Sequence, residues 1–469
     1  MSNKLSPKER MAIERVHMPE LPADVRNKNF EEVNLGLNSG QARKEAERCL
    51  QCKNRNCVAG CPVGVSIPEF IDALACEDLP RAAQILRGDN ALPAVCGRVC
   101  PQETQCEALC VRGLKGEAVA IGYLERYVAD WAMQHPDQLL PDAKPEPTGK
   151  SVAVVGCGPA GLTAAGELAR QGHKVTIFEA LHDTGGVLRY GIPEFRLPKD
   201  IIDREVSVLS ALGVTIECNV IIGKTLTISE LSDDFDAVFI ANGAGLPTML
   251  NIAGENLKGV YAANEFLTRV NLMEAGRRED SSTPILKRSE VAVIGGGNTA
   301  MDCVRTARRL GAERAMIVYR RGEAEMPARV EEIKHAKEEG VEFIMLTAPL
   351  AIVATEDGWV SALRCQKMEL GPADDSGRRR PQPIVGSEFD LPAGIVINAV
   401  GTSANPLLTA TAPNLSLNKW GNIVTNEEGE TSIAGVFAGG DIVRGGATVI
   451  LAMGDGKRAA AAINDYLKR

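Results

Sequence analysis

The sequence predicts an α/β protein in which an α-helical N-terminal domain precedes two Rossmann-like dinucleotide-binding domains. Three observations predict it. Two segments read as strand, glycine-rich turn and helix, one starting at Ser151 and the other at Val291. Residues 1 to about 145 carry helical signals and nine of the 13 cysteines. The length of 469 residues is enough for about three domains at roughly 150 residues each.

Composition narrows the function classes. Apolar residues at 45% and charged residues at 24% match folded chains and exclude wholesale disorder. Only 4% aromatic residues against 46 glycines suits tight strand-to-helix turns where a side chain would obstruct a ligand. The net charge of -9, with no long basic run, gives no reason to expect nucleic acid as a partner. The most apolar stretch, residues 151–168, is interrupted by Gly156, Gly158, Pro159 and Gly161, so no membrane span is expected. The first residues are charged and lack the apolar core of a secretory signal, which predicts a cytoplasmic protein. Cysteines crowded between Cys49 and Cys110 in a reducing compartment favour metal ligation over disulfides.

In chain order, Ser66-Ile67-Pro68-Glu69 reads as a capping box opening a helix with Phe70, Ile71 and Leu74 inward. Residues 117–134 show helical periodicity through Ile121, Leu124, Val128 and Trp131. That spacing sets Glu125 on the apolar face, where a buried acid needs a partner, either an arginine or a metal. Residues 141–150, rich in proline, read as a linker, and the polar stretch around 371–380 as an exposed loop. The expected division is residues 1–145, then 146–286 together with 402–469, then 287–401.

The first turn, Gly156-Cys-Gly158-Pro159-Ala160-Gly161, lies between an apolar strand and a helix, with Glu179 ending the next strand. Gly156 permits the tight turn, Gly158 lets the backbone approach a pyrophosphate, and Gly161 lets helix and strand pack closely. The helix N-terminus offers N–H groups to phosphates and Glu179 can accept from ribose hydroxyls. The second turn, Gly295-Gly-Gly297, leads into Asn298, Thr299 and Ala300, and its second strand ends in Tyr319-Arg320-Arg321 where an NAD site would place an acid. Two guanidinium groups there suit a 2'-phosphate and favour NADP(H), a solvated turn being the alternative.

The cysteines fall as Cys49-x2-Cys52-x4-Cys57-x3-Cys61-Pro62 and Cys96-x3-Cys100-Pro101-x4-Cys106-x3-Cys110. Cys-Pro after closely spaced cysteines marks iron–sulfur ligation, and two cubane clusters need eight ligands. Zinc is the alternative, but it prefers paired Cys-x2-Cys units and only one occurs here. Cys76 reads as a small core residue. Cys157, Cys218, Cys303 and Cys365 are scattered, and with no Cys-x2-Cys among them a disulfide relay is not expected.

Together with Gly191-Ile-Pro-Glu-Phe-Arg-Leu-Pro198, Glu325-Met-Pro-Ala-Arg329 and Ala438-Gly-Gly-Asp441, these motifs resemble, over nearly the whole chain, the family of the NADPH-dependent glutamate synthase small subunit. Its relatives are the large subunit of NADH-dependent ferredoxin:NADP oxidoreductase, sulfide dehydrogenase and the N-terminal part of dihydropyrimidine dehydrogenase. The resemblance implies two 4Fe-4S clusters with interleaved ligands. Cys49, Cys52, Cys57 and Cys110 would hold one; Cys61, Cys100, Cys106 and Glu125 would hold the other, with Cys96 a neighbour. It implies FAD at the first turn, lined by Gly185, Gly186 and Leu188, with Gly440 and Asp441 at the ribityl or phosphate portion, and NADPH at the second.

The implied activity is electron transfer between NADPH, FAD and the clusters, in either direction, to a second subunit and with no dedicated acid–base residue. That partner would be a glutamate synthase large subunit. The alternative is a smaller flavoprotein of a bifurcating transhydrogenase that also uses ferredoxin; Ala328 favours it, since typical glutamate synthases carry glycine there. A non-enzymatic iron–sulfur scaffold with unused nucleotide folds is the third reading.

Overall fold

The computed structural model describes residues 5–139, 145–278, 280–374 and 377–469. Within the N-terminal region the main helices are Ser39–Ala46, Ile67–Ala75, Leu79–Asp89, Pro93–Val99 and Ile121–Gln134. Helices Pro93–Val99 and Ile121–Gln134 cross closely at Gly97, where a Cβ would lie 2.6 Å from the Arg126 nitrogen. The helix at Ile67 forms as expected, but Ser66 does not build the capping box. Its side chain caps nothing, its N–H goes to Asp89 at 2.7 Å, and Glu69 pairs with Arg55 instead. Part of the expected linker, residues 141–144, lies outside the described residues; residues 145–148 have no regular structure.

Two five-stranded parallel sheets follow. The first runs Val436–Ala438, Ala237–Ile240, Ser151–Val155, Lys174–Phe178, Thr215–Glu217. Its central strands are continuous runs of buried β-branched and apolar residues, as strands covered on both faces must be. The chain's last segment thus returns to complete this sheet. The second runs Val260–Ala262, Ile395–Asn398, Glu290–Ile294, Arg314–Val318, Glu342–Ile344, so it also takes a strand from the segment expected with the first.

Of the stretch read as an exposed loop around 371–380, residues 374, 377 and 378 carry no regular structure, residues 375 and 376 lie outside the described residues, and both ends continue the strands of a long hairpin, Val360–Ala373 against Arg379–Pro392. The polar residues that suggested a loop face solvent on a half-covered antiparallel ribbon, where polarity is compatible with pairing. Among the described residues, no helix is long and apolar enough to cross a membrane.

Helical region and first sheet share one apolar core, with Phe70, Leu92 and Leu124 in the same cluster as Val152, Leu162 and Phe239. The C-terminal helix Val449–Leu467 seals the join. Gly454 abuts the Pro62 carbonyl, and Lys457 donates to the carbonyls of Val63 and Asp89 at 2.9 and 2.7 Å.

A buried ionic cluster ties three further parts together. Arg196, from the loop before helix Lys199–Ala211, donates to both oxygens of Asp302 at 2.7 and 2.8 Å and lies 3.0 Å from Glu332. Glu339 accepts from Arg26, Arg305 and Arg309. The Phe195 ring lies under the Arg305 and Arg309 guanidinium groups at 4.7 and 3.8 Å.

Candidate functional site

Cys49, Cys52, Cys57 and Cys110 line one small, partly open cavity, together with Ile67, Pro68, Ile71 and Leu109. Cys49 follows the end of helix Ser39–Ala46, Cys57 sits in the short helix Asn56–Ala59, and Cys110 precedes the turn Val111–Leu114. Burial pushes the Cys49 thiol up to about 12 and Cys57 to about 11, and the neighbouring thiols add to the shift. Such a group is stabilised as thiolates only with a cation among them, which fits a metal cluster.

The second group is deeper. Burial raises the thiols of Cys61 and Cys106, and a hydrogen bond with Cys96 followed by burial raises that of Cys100; the nearby Glu125 charge adds to all three. Cys106 and Cys110, four residues apart, turn toward different groups. Glu125 is buried, and burial pushes it up to about 8 against a 2.8 Å hydrogen bond from Asn90. The arginine that was the alternative partner does not meet it; the adjacent Arg126 pairs with Glu32 and Asp130. Cys96 is a buried neighbour, 3.7 Å from the Asn90 oxygen and 3.5 Å from the Met453 sulfur. Cys76, expected in the core, is exposed just past helix Ile67–Ala75, off the stripe of Ile67, Phe70, Ile71 and Leu74 that faces inward.

The spacing of the sulfurs bears on the zinc alternative. Among the described residues, the one trio of His, Cys, Asp or Glu ligand atoms within 4.8 Å of one another is Glu20, His335 and Glu338. The cysteine groups are therefore spread wider than the roughly 3.8 Å edge set by tetrahedral Zn–S bonds of about 2.3 Å. The trio itself is an ion-pair cluster, with Arg26 and Lys334 bonded to the same carboxylates.

At the first turn Gly156 has φ +104°, and a Cβ there would meet the Ala241 oxygen at 2.5 Å; at Gly161 one would lie 1.9 Å from the Gly156 oxygen. Pro159 and Ala160 open the helix Pro159–Arg170. Gly158 has open space beside it. Gly186 packs on Gly158, Gly440 on Ala160, and the Gly185 N–H donates to Cys157, so the first turn, Gly185-Gly186 and Gly440-Asp441 converge on one helix N-terminus. Leu188 is fully buried behind them. Glu179 accepts from the N–H groups of Cys157 and Leu181, each at 2.8 Å, leaving lone pairs for a ligand.

Burial pushes Asp441 up to about 6, opposed by a hydrogen bond from the Ala447 N–H. Two residues near this site carry no sequence signal. Tyr190 is pushed up to about 12 by burial, with the charges of Asp441 and Glu179 adding to it. Lys199 donates to the carbonyls of Leu188, Ile192 and Leu197, and burial lowers it to about 7. Only side chains brought near by the fold reveal either one.

The second turn repeats the geometry. Gly295 has φ +145° with the Ala399 oxygen 2.4 Å from a would-be Cβ, and Gly297 caps the helix Asn298–Arg309. Thr299 is exposed at the helix start and Ala300 is buried against the strand. The two arginines after strand Arg314–Val318 separate. Arg320 is exposed, whereas Arg321 is buried, bonded to Asp374 at 2.7 Å and to the Arg379 carbonyl at 2.9 Å.

Comparison with known proteins places this architecture. Residues 26–137 match the dihydropyrimidine dehydrogenase domain II, 4Fe-4S cluster family, and residues 150–456 the pyridine nucleotide-disulphide oxidoreductase family. The glutamate synthase (NADPH) small chain of Escherichia coli is 37% identical across 97% of this chain and 98% of its own. Subunit beta of the NADP(+)-dependent formate dehydrogenase of Moorella thermoacetica is 42% identical over 88% of this chain and 60% of its own length. Mycobacterium tuberculosis FprA in complex with NADPH shares the fold, with a TM-score of 0.58 and 23% identity over 69% of this chain and 85% of its own. With paired cysteine groups before two glycine-turn sheets and a full-length match, the chain belongs to the glutamate synthase (NADPH) small-chain family of iron–sulfur flavoprotein oxidoreductases.

Proposed function

We propose that this chain oxidises NADPH and passes the electrons singly, through FAD and two 4Fe-4S clusters, to a second subunit. The observation that carries the reading is the sorting of eight interleaved residues into two groups beside two glycine turns. Cys49, Cys52, Cys57 and Cys110 would hold the outer cluster, and Cys61, Cys100, Cys106 and Glu125 the inner one. FAD, when bound, supplies the exchange between a two-electron hydride and single electrons. The order is supported by position: Pro62 abuts the helix that begins beside Asp441, whereas the Cys49 cavity is partly open.

The remaining roles belong to the two nucleotide sites. Gly156, Gly158, Pro159, Ala160 and Gly161 aim a helix N-terminus at the FAD pyrophosphate, and Glu179 accepts from its ribose. Gly186, Leu188 and Gly440 line the flavin and Asp441 accepts from its ribityl or phosphate portion. Gly295, Gly297, Asn298, Thr299 and Ala300 cradle NADPH. Arg320 meets the 2'-phosphate, and Arg321 braces the hairpin behind it. On this reading residues 1–145 form the iron–sulfur domain, 146–286 with 402–469 the FAD domain, and 287–401 the NADPH domain with the strand Val260–Ala262 added.

The names of the relatives, a small chain and a subunit beta, support a partner subunit. A glutamate synthase large subunit is the first reading. A bifurcating partner that also uses ferredoxin is the second, favoured by Ala328. The test is to purify the protein anaerobically with whatever co-elutes and follow NADPH oxidation. Turnover with glutamine plus 2-oxoglutarate supports the first reading, turnover with ferredoxin plus NAD the second, and inertness toward both overturns the pair.

A further inference from the structure

Asn90 is 1% exposed and stands just past the C-terminal end of helix Leu79–Asp89, where its N–H donates to the Leu86 carbonyl at 2.8 Å. The chain on either side of it is pinned. The Asp89 side chain accepts from the Ser66 N–H, its carbonyl accepts from Lys457 of the C-terminal helix, and the Leu92 N–H turns back onto the Asn90 side-chain oxygen at 2.9 Å. That backbone donor fixes which way the amide faces, because only the oxygen can accept from it. The amide nitrogen is thereby aimed at Glu125, and Nδ2 donates to Oε1 at 2.8 Å. The Cys96 thiol completes the network, 3.7 Å from the same Asn90 oxygen.

This contact leaves the two oxygens of Glu125 in different states. Among the described residues, Asn90 is the one hydrogen-bond donor to the carboxylate, so the second oxygen has no protein partner. A buried carboxylate with an oxygen free calls for a cation, and Cys61, Cys100 and Cys106 are its neighbours. Cys96 would be the softer ligand for iron, but its sulfur is engaged at the other end of the same amide.

We propose that Asn90 is a positioning residue for the inner cluster: its amide nitrogen holds one oxygen of Glu125 so that the other is presented to iron, and its side-chain oxygen keeps the Cys96 thiol a neighbour and not a ligand. The inference rests on the proposed assignment of Glu125 as the eighth ligand. Hydrogen-bonding partners of a ligating carboxylate fix its orientation and tune the metal. Here the tuning has a sign. The N–H bond draws on the negative charge of the carboxylate and strengthens when an added electron makes cluster and ligands more negative, so it favours the reduced cluster. Removing it lowers the inner-cluster potential.

The test uses the anaerobic holoenzyme titrated with dithionite, with paramagnetic resonance at controlled potentials reading each cluster and an iron assay reading occupancy. Asn90→Leu, close in size and without either side-chain hydrogen bond, is expected to shift the reduction equilibrium of the inner cluster about tenfold toward the oxidised form, a potential about 59 mV lower. The outer cluster, whose cysteines Asn90 does not contact, keeps its potential. Asn90→Asp retains the acceptor for the Leu92 N–H and sets an acid against Glu125. It should lower the inner potential at least as far, or release about four irons with the outer signal intact.

A change confined to the inner cluster in either variant supports the proposal. Wild-type inner potential and signal in both variants overturn it, as does an equal shift of the two clusters, which a merely structural role for Asn90 would produce. Glu125→Ala tests the reading beneath: an inner cluster unchanged in iron, signal and potential there refutes the ligand assignment, and the role of Asn90 with it.

Discussion

Neutralising Glu339 tests the buried ionic cluster most sharply. Its carboxylate, 1% exposed, accepts from Arg26 at 3.1 Å, Arg305 at 3.0 and 2.7 Å, and Arg309 at 2.7 and 3.0 Å. In Glu339→Gln the shape is kept and the charge removed. Arg26 retains Glu20 and Glu338, and Arg305 retains Glu332, but Arg309 keeps the Arg305 carbonyl and the Phe195 ring and no carboxylate.

Stranding one buried guanidinium costs about 3 kcal/mol, the low end for breaking a buried pair. At about 2–4 °C per kcal/mol for a domain of this size, calorimetry should show the second-sheet transition lowered by about 6–12 °C. Glu342→Gln, which removes the half-exposed partner of Arg314, should cost about 0–1 kcal/mol. Equal small shifts in the two variants would refute the reasoning. Burial opposes ionisation of Glu339, but Arg305 and Arg309 more than offset it and hold the carboxyl well below its ordinary range. The Glu339 contribution is therefore present in full above the unfolded value of about 4.3 and is lost as pH falls through the lower folded value. The gap between wild type and Glu339→Gln should close in acid.

Three further outcomes are expected. Arg320→Ala should raise the NADPH dissociation constant about 10- to 100-fold with little change for NADH, as loss of one charge-assisted bond to phosphate requires; Arg321→Ala should weaken both nucleotides by loosening the hairpin held through Asp374. Cys110→Ser should remove about four irons and the outer signal, and Cys100→Ser about four irons and the inner one; a common loss in both variants would contradict the interleaved sorting. In flavin-free protein, Asp441 is pushed up to about 6 by burial, so its contribution to stability is full below about pH 3.9 and lost as pH rises through 6. Asp441→Asn should therefore gain stability relative to wild type above pH 6, read as a crossing of their melting temperatures.

Both glycine turns were legible because each sat between a continuous apolar strand and a helix, a local context that demands a φ only glycine tolerates, as at Gly156 and Gly295. The burial of Glu125 was legible from helical spacing alone. Ser66 was misread because a cap depends on which carboxylate reaches the N–H, and Asp89 arrives from 23 residues away. The loop around 371–380 was legible from its polarity, but the strands that run into it from both sides were not, because a solvent-facing ribbon edge is as polar as a loop. Arg26 on Glu339, Arg329 on Gln102, and the burial of Tyr190 and Lys199 are long-range meetings with no period or spacing to announce them. The two arginines after Tyr319 looked equivalent in sequence, and only the hairpin's return, with Asp374, separates them.

Anaerobic reduction by NADPH, followed by optical absorbance and rapid-freeze paramagnetic resonance on protein assayed for iron and flavin, tests electron transfer most directly. About eight irons and one FAD per chain, with flavin bleaching followed by signals from two clusters, is the predicted result. Protein that carries its iron and flavin yet shows no cluster signal after NADPH, or that holds neither group, would contradict it.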